Sequence, residues 1–453
     1  MSRGRRMVSA HSWRQAGIVT LLLLMAAENS AQAQRTLPIP ACPGRGIMAP
    51  GGEAAPFVTR RYGCSLASPD VLASGEDAPG SLFLLPDNFH EYRGITGEYI
   101  YTGEVFTNTR GGLNTKGATR YRGNLDIVLN VDTAAMDMWD GGRFFIYGNT
   151  FHGKTLTPED VGDFQLYSNI DGTPRPDAAF QITEYWYEHS FADGNILLKV
   201  GKQDANADFA YVDLGGDFIN SSFGLIPTVV LPTWPNPGMG AAVFVDLTDL
   251  IHVKTGVYDG APSLGEQTGG RSGFETLGDF GAMTLHEWSL TPQFGTDGEL
   301  PGTYRIGVWH HSKEFENLDL GTGEMESQNY GFYMSADQLL WRETGSEDDP
   351  QGLGTFIQYG WSPRDRNEMF QYFGTGLTYR GPIATRDADV MGIGLASAKF
   401  RDSSLSSEQA VELFYKAQIN DWAIVQPDMQ YIASPSGTGR DALVVGLRTE
   451  LAF

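Results

Sequence analysis

Features that would mark a soluble enzyme or a helical membrane protein are scarce in this sequence. Only two cysteines occur among 453 residues, and neither has a histidine nearby, so a zinc site is a poor interpretation of them. No run of about 20 apolar residues occurs beyond residues 16–27, which excludes a bundle of membrane-spanning helices. The pair Gly215-Gly216 lacks a following Lys-Ser/Thr, so it is not a phosphate-binding loop.

Positive charge is also scarce. Lys and Arg together number 32 against 55 Asp and Glu, which gives a formal net charge of -23. A protein that binds nucleic acid needs a basic face to meet the phosphates. We therefore expect no nucleic acid among the partners of this chain.

A clear alternation occupies residues 441–453. An extended strand places successive side chains on opposite faces. One face carries Leu443, Val445, Leu447, Thr449, Leu451 and Phe453, and the other carries Ala442, Val444, Gly446, Arg448, Glu450 and Ala452. A wall between lipid and water needs one apolar and one polar face. Strands cross a bilayer only when every backbone group is paired, so the pattern predicts a closed barrel.

The first 33 residues indicate export. A basic lead with Arg3, Arg5 and Arg6 precedes the apolar run 16–27, and Ala31-Gln32-Ala33 forms an A-x-A cleavage signal. This arrangement is typical of a secretory signal peptide. We predict that residues 1–33 are removed and that the mature chain begins at Gln34.

Residues 34–92 are rich in proline and lack clean periodicity. They predict an irregular periplasmic or plug-like extension, with room for one short helix near residues 68–72. The extension holds both cysteines, Cys42 and Cys64. In an oxidising compartment a disulfide is favoured over two free thiols, so we predict that they pair.

Residues 93–453 alternate from strand to turn to strand. The sequence therefore predicts an all-β fold, a transmembrane antiparallel up-and-down β-barrel of about 16 strands. The predicted strands are 96–108, 120–132, 141–152, 180–191, 195–203, 240–248, 251–259, 278–290, 302–313, 327–336, 353–361, 369–380, 388–400, 411–420, 422–432 and 441–453. Side chains cannot fill a barrel of this size, so an aqueous channel is expected.

Short motifs follow one another in a definite order along residues 94–453. They are Gly94-Ile-Thr, Tyr101-Thr-Gly-Glu104, Tyr121-Arg-Gly-Asn-Leu-Asp126, Gly141-Gly-Arg-Phe144, Glu184-Tyr-Trp-Tyr-Glu188, Val200-Gly-Lys202, Asn220-Ser-Ser-Phe-Gly224, Gly256-Val-Tyr-Asp-Gly260 and Asp421-Trp-Ala-Ile-Val-Gln-Pro-Asp428. As an ordered set they resemble the OprB-type carbohydrate-selective porins, which are outer-membrane barrels that admit sugars. The resemblance implies passive diffusion of mono- and small oligosaccharides across the bacterial outer membrane.

The resemblance also implies partners. We expect sugars in the lumen, outer-membrane lipid and lipopolysaccharide around the wall, and recognition of terminal Phe453 by the barrel-assembly machinery. The barrel is expected to be a monomer or a homotrimer. No cofactor, no metal site and no enzymatic activity are expected.

A sugar site needs side chains that donate and accept hydrogen bonds, together with an aromatic face for the C–H side of the ring. Inward-facing residues with this character are the candidates for lining the lumen. They are Glu98, Glu104, Asn108, Arg120, Arg122, Asp126, Arg143, Glu184, Trp186, Glu188, Lys199, Arg448 and Glu450. Because the first and last strands of a closed barrel are neighbours, Arg122 and Arg448 are expected to flank one stretch of lumen.

Two other functions fit a barrel. One is an outer-membrane lipase or esterase with an inhibitor-sensitive serine and a narrow interior, and the other is a non-conducting envelope protein or adhesin. A glycosidase is disfavoured because Glu184 and Glu188 would lie about 13 Å apart on a strand, beyond the about 5–9.5 Å of paired glycosidase carboxylates. His310 and His311 face opposite sides of a strand, so they make a poor metal site.

Overall fold

The computed structural model describes residues 91–92, 94–170, 180–268, 272–319, 323–344 and 349–452. The predicted signal peptide, the Cys42–Cys64 disulfide and the short helix near residues 68–72 lie outside these residues. So does Phe453.

Sixteen antiparallel strands form one closed sheet. They are β1 (Ile95–Arg110), β2 (Thr119–Asp132), β3 (Gly142–Gly153), β4 (Gln181–Phe191), β5 (Ile196–Gln203), β6 (Gly238–Asp246), β7 (Ile251–Asp259), β8 (Ala282–Leu290), β9 (Leu300–His311), β10 (Asn329–Arg342), β11 (Gly352–Trp361), β12 (Met369–Arg380), β13 (Val390–Phe400), β14 (Glu408–Asn420), β15 (Ala423–Ala433) and β16 (Ala442–Ala452). Each strand pairs with the next, and β16 pairs with β1. Closure leaves the wall without an unpaired edge.

Short elements decorate the connections between these strands. Two-residue strand segments lie at Glu91–Tyr92, Gln293–Phe294, Phe315–Glu316 and Met325–Glu326. Helical turns lie at Thr157–Val161, Ala205–Ala207, Ser221–Gly224, Pro262–Leu264 and Pro435–Gly437. Within the described residues, no helix combines the length and the apolar composition that crossing a membrane would require.

The prediction of a sixteen-stranded antiparallel barrel is confirmed. Each of the sixteen predicted segments overlaps one strand of the structure. The largest error is in β10, predicted as 327–336 but extending to Arg342. A break in the pairing register with β11 between Leu339 and Trp341 interrupts the alternation there, which hid the last part of the strand from pattern analysis.

The alternation also assigns the two faces of the wall as the sequence predicted. In β16, Arg448 and Glu450 are buried on the inside, whereas Leu447 is exposed on the outside. We call the end of the barrel where β1 begins and β16 ends the near rim, and the opposite end the far rim. The two long connections 154–180 and 204–237 leave the far rim, and we call them L2 and L3.

L3 does not extend away from the barrel but folds into it. Phe218 and Phe223 of L3 are buried and pack against Phe356 of β11 and each other, and Phe218 also packs against Phe414 of β14. The wall beneath them carries glycine. A Cβ on Gly394 of β13 would lie 2.7 Å from ring carbons of both Phe218 and Phe223. The absence of a side chain there lets the loop approach the wall closely.

Candidate functional site

Strand β14 holds L3 through one carboxylate. Glu412 is fully buried on the inner face, and its two oxygens accept hydrogen bonds from the backbone N–H groups of Ile219 (2.6 Å) and Asn220 (2.9 Å). Asn220 in turn caps the helical turn Ser221–Gly224 by accepting from the N–H of Ser222. Glu412 thus gives two buried backbone donors of L3 their acceptors, which makes it a firm anchor for the loop.

The same strand also holds L2, through a residue on the same face four positions before Glu412. Glu408, also fully buried, accepts from the N–H groups of Phe164 (2.7 Å), Gln165 (2.8 Å) and Ser436 (2.6 Å). Glu408 and Glu412 are both inward residues of β14, so one strand fixes both inserted loops. The two loops also contact each other, because Asn169 of L2 donates its N–H to the carbonyl of Ile219.

The closure of the barrel supplies a third anchor. Glu104 of β1 is the register partner of both Arg122 and Arg448. The Nε of Arg448 donates to Glu104 at 2.7 Å, and its Nη2 donates to Asn169 of L2 at 2.5 Å. Arg122 donates to the carbonyl of Ile170. The two arginines thus lie on either side of Glu104 and both bind L2, while a role for them in lining the path of a sugar stays a prediction.

Asp204 closes the base of L3. Its carboxylate accepts from the N–H of Asn206 (2.9 Å), the N–H of Trp234 (3.0 Å) and the hydroxyl of Thr233 (3.1 Å), so it ties the start of the loop to its end. Burial raises the pKa of Asp204 to about 7, and the negative charge of nearby Glu184 adds to the rise.

Two aromatic rings in the lumen lie between cations. Trp186 of β4 has Lys199 at 4.4 Å and Arg143 at 5.0 Å from its ring centre, and Phe145 stacks on it at 4.6 Å. Trp186 is only 3% exposed. Its ring is therefore covered and cannot offer a face to a passing sugar, which removes the stacking role that its residue type suggested.

The second ring belongs to L3. Tyr211 has the guanidinium of Arg305 at 4.4 Å and the ammonium of Lys254 at 5.0 Å from its centre. Arg305 of β9 also bridges Asp337 of the wall (2.7 Å) and Asp213 of the loop (2.9 Å). The position of Arg305 is thus fixed by three groups, two from L3 and one from β10.

Further ion pairs continue around the wall. Arg143 of β3 pairs with Glu188 of β4 at 2.7 Å. Lys199 of β5 pairs with Asp208 of L3 at 2.8 Å, and Lys254 of β7 pairs with Glu287 of β8 at 2.9 Å. Lys416 of β14 pairs with Asp217 of L3 at 2.8 Å and lies 4.0 Å from Glu450. We call these paired charges, together with Arg305, its partners Asp213 and Asp337, and the rings of Trp186 and Tyr211, the lumen belt.

One stretch of L3 faces solvent inside the barrel. The side chain of Asp213 is 55% exposed, and Tyr211, Leu214 and Gly216 around it are half-buried. Arg305, which holds Asp213, is only 3% exposed. The stretch 211–216 is therefore a solvent-exposed part of L3 that carries polar groups.

All thirteen candidates for the lumen lie at inward positions of their strands, but the structure gives them different surroundings. The residues that bind L2 or L3 are Glu104, Asn108, Arg120, Arg122, Glu184 and Arg448. The residues of the lumen belt are Arg143, Trp186, Glu188, Lys199 and Glu450. Asp126 accepts from Asn124 and Tyr147 within the wall, and Glu98 is half-buried towards the near rim.

The sequence analysis missed most of the lumen belt. The belt residues that were not among the candidates are Asp208, Tyr211, Asp213, Asp217, Lys254, Glu287, Arg305, Asp337 and Lys416. Four of the wall residues were within reach, because Lys254, Glu287, Arg305 and Lys416 occupy the inner faces of predicted strands. Asp337 lies one residue beyond the predicted end of its strand, and the four loop residues have no periodicity that predicts the insertion of L3.

The lumen belt combines ammonium, guanidinium and carboxylate groups and offers no free aromatic face among the rings described above. Such groups recognise neutral polyols through charge-assisted hydrogen bonds. The described residues contain no group of three or more His, Cys, Asp or Glu side chains placed to hold a metal ion.

Comparison with known proteins shows the family of the chain. The model of the carbohydrate-selective porin, OprB family, matches residues 116–453. The chain belongs to this family. Porin B of Pseudomonas aeruginosa is 24% identical over 397 residues, which cover 78% of this chain and 86% of the relative. A putative porin QuiX of Acinetobacter baylyi is 23% identical, with 78% of this chain and 89% of the relative covered.

Solved structures agree on the fold of this porin. The high-pH structure of Pseudomonas putida OprB superposes with a TM-score of 0.71 at 24% identity, covering 80% of this chain and 94% of that one. The low-pH structure of the same protein gives a TM-score of 0.52 at 20% identity over 80% and 93%. This chain is thus an outer-membrane sugar porin. Barrels of this kind have short periplasmic and long outer loops, so the near rim faces the periplasm and L2 and L3 enter from outside.

Proposed function

We propose that sugars diffuse passively through the space between the L3 stretch 211–216 and the facing wall, and that the chain has no catalytic role. The observation that supports this is Asp213, an exposed carboxylate held in the lumen by buried Arg305. A hydroxyl-rich solute entering this space meets fixed acceptors and donors. Because their partners are already arranged in the fold, the solute loses little to reorganisation of the protein.

Binding at this position must be weak for transport to continue, since a solute has to leave as readily as it enters. The geometry favours weak binding in two ways. The rings of Trp186 and Tyr211 are covered by cations, so they supply no stacking energy. The cations are also shared with carboxylates, so each hydrogen bond to a sugar competes with an existing ion pair.

Reconstitution tests this proposal. Liposomes that contain the protein should swell in glucose, and sugars should reduce the ion current through single channels. Arg305→Gln should weaken the sugar block, whereas Glu275→Gln, at an exposed outer-loop position, should leave it unchanged. A correctly folded barrel that neither conducts ions nor admits glucose would refute the proposed function.

The remaining expectations about partners belong to the same proposal. We infer that recognition of Phe453 by the barrel-assembly machinery guides insertion, and that lipopolysaccharide contacts the outer wall of a monomer or a homotrimer. Deleting Phe453 should lower the yield of folded barrel in the outer membrane. Native mass measurement of the detergent-extracted protein distinguishes the two oligomeric states.

A further inference from the structure

The inner wall carries more acidic than basic side chains. The inward acidic side chains of the strands are Glu98, Glu104, Asp126, Asp132, Glu184, Glu188, Asp246, Glu287, Asp337, Glu408, Glu412, Asp428 and Glu450. The inward basic side chains are Arg120, Arg122, Arg143, Lys199, Lys254, Arg305, Arg342, Arg380, Lys416 and Arg448. The wall alone therefore has a small surplus of acidic side chains.

The inserted loops increase this surplus. Apart from exposed Lys154 at its start, the described part of L2 contains no Lys or Arg, and neither does L3. The loops bring carboxylates instead, at Asp160, Asp163, Asp208, Asp213 and Asp217, with Glu159 at the outer surface. Asp204, whose pKa burial raises to about 7, is only partly charged at neutral pH. Insertion of the loops thus concentrates negative charge in the part of the barrel that they narrow.

The cations of the lumen are mostly neutralised by close partners. Lys199, Lys254 and Lys416 each pair with a carboxylate at 2.8 or 2.9 Å and are at most 10% exposed. Arg380 is half-buried near the periplasmic rim, and no carboxylate lies within ion-pair distance of it among the described residues. Arg305, by contrast, is shared between Asp213 and Asp337, so this cluster holds two carboxylates for one cation, and Asp213 is 55% exposed.

A surplus of charge of one sign inside a narrow passage with low-dielectric walls acts on every ion that enters. Field lines are focused along the passage, and a channel lined by Asp and Glu favours cations. The effect is electrostatic, so it excludes anions whatever their shape.

We propose that this channel selects by charge: it admits neutral and cationic sugars and resists anionic ones such as uronates and phosphorylated sugars. The inference rests on the proposed function, since it names the class of sugar that the same passage takes. It assigns to Asp213 the position at which a passing solute meets an exposed carboxylate of the inserted loop.

The ion selectivity of the reconstituted protein tests the inference. In a KCl gradient at neutral pH, the reversal potential should have the sign of preferred K⁺ passage. In liposomes, glucosamine should enter faster than glucuronate by about tenfold or more. Asp213→Asn should reduce both preferences, and Glu275→Gln should alter neither.

The two proposals fail in different ways. A barrel that admits no glucose at all would overturn the proposed function. A barrel that admits glucose, but passes glucuronate as fast as glucosamine or shows no K⁺ preference, would overturn charge selection alone. A measurement on the unmodified protein guards against a variant that does not fold: raising the salt concentration should screen the lumen and raise the relative rate of glucuronate entry.

Discussion

Glu412 is the residue whose substitution most directly tests how L3 is held inside the barrel. Its two oxygens accept from the N–H groups of Ile219 and Asn220 at 2.6 and 2.9 Å, and the site is fully buried. A buried donor that loses its acceptor costs about 1–3 kcal/mol. Glu412→Gln keeps one oxygen but turns an amide N–H towards the second donor, so about one such bond is lost.

A loss of about 1–3 kcal/mol raises the population of undocked loop by about 5- to 100-fold, since each 1.4 kcal/mol is a factor of ten. Hydrogen exchange of the peptide that spans residues 218–224 measures this population in the detergent-solubilised barrel. Exchange in Glu412→Gln should be faster by that factor. Single-channel conductance should also rise, because L3 occupies part of the lumen.

A matched variant on the same strand provides the control. Glu408→Gln removes a carboxylate that binds Phe164, Gln165 and Ser436, so it should speed exchange in L2. Its effect on residues 218–224 should be smaller than that of Glu412→Gln. Equal exchange of residues 218–224 in the unmodified protein and in folded Glu412→Gln would refute the anchoring role.

Three further predictions concern packing, charge and pH. Gly394→Val places a Cβ 2.7 Å from ring carbons of Phe218 and Phe223, so it should lower the unfolding free energy by about 1–3 kcal/mol. The variant should also displace L3 and raise single-channel conductance, and unchanged conductance would argue against close packing there. Lys199→Met leaves the carboxylate of Asp208 buried without its partner and should lower the unfolding free energy by about 3–5 kcal/mol in urea titrations, and Asp208→Asn in the same chain should recover part of it. Burial raises the pKa of Asp204 from 3.8 to about 7, so the folded state holds the proton more tightly and the unfolding free energy should fall as pH rises from about 4 to 7. Denaturant titrations across this range should show a flatter pH dependence in Asp204→Asn. An unchanged slope in that variant would contradict the raised pKa.

The sequence was most informative where a residue's role follows from its own strand. Alternation with a period of two assigns a side chain to one face of a strand whatever its neighbours are, so Arg448 and Glu450 were placed inside from residues 441–453 alone. Closure of the barrel then made β1 and β16 neighbours, and Glu104 lies opposite Arg448 accordingly. The register break in β10 shows the limit of this reasoning, because an irregularity in pairing has no fixed sequence signature.

The insertion of the loops into the barrel could not be predicted from the sequence in this way. L3 carries Phe209, Phe218 and Phe223, which is an unusual number of buried aromatic residues for a connection outside a barrel. The parts of the wall against which these rings pack lie far away in sequence, for example at Gly394. Only the folded chain shows that the aromatic rings of L3 fill the space left by a glycine on the wall.

The sequence by itself determined the compartment, the barrel, its strand number and the inward or outward direction of most wall residues, because each depends on local periodicity. The tertiary structure decided which inward charges pair, which of them hold L2 and L3, and where a carboxylate such as Asp213 remains exposed to the lumen. Those outcomes depend on distances between residues about 100 to 300 positions apart, and such distances are set only when the sheet closes and the loops pack inside it.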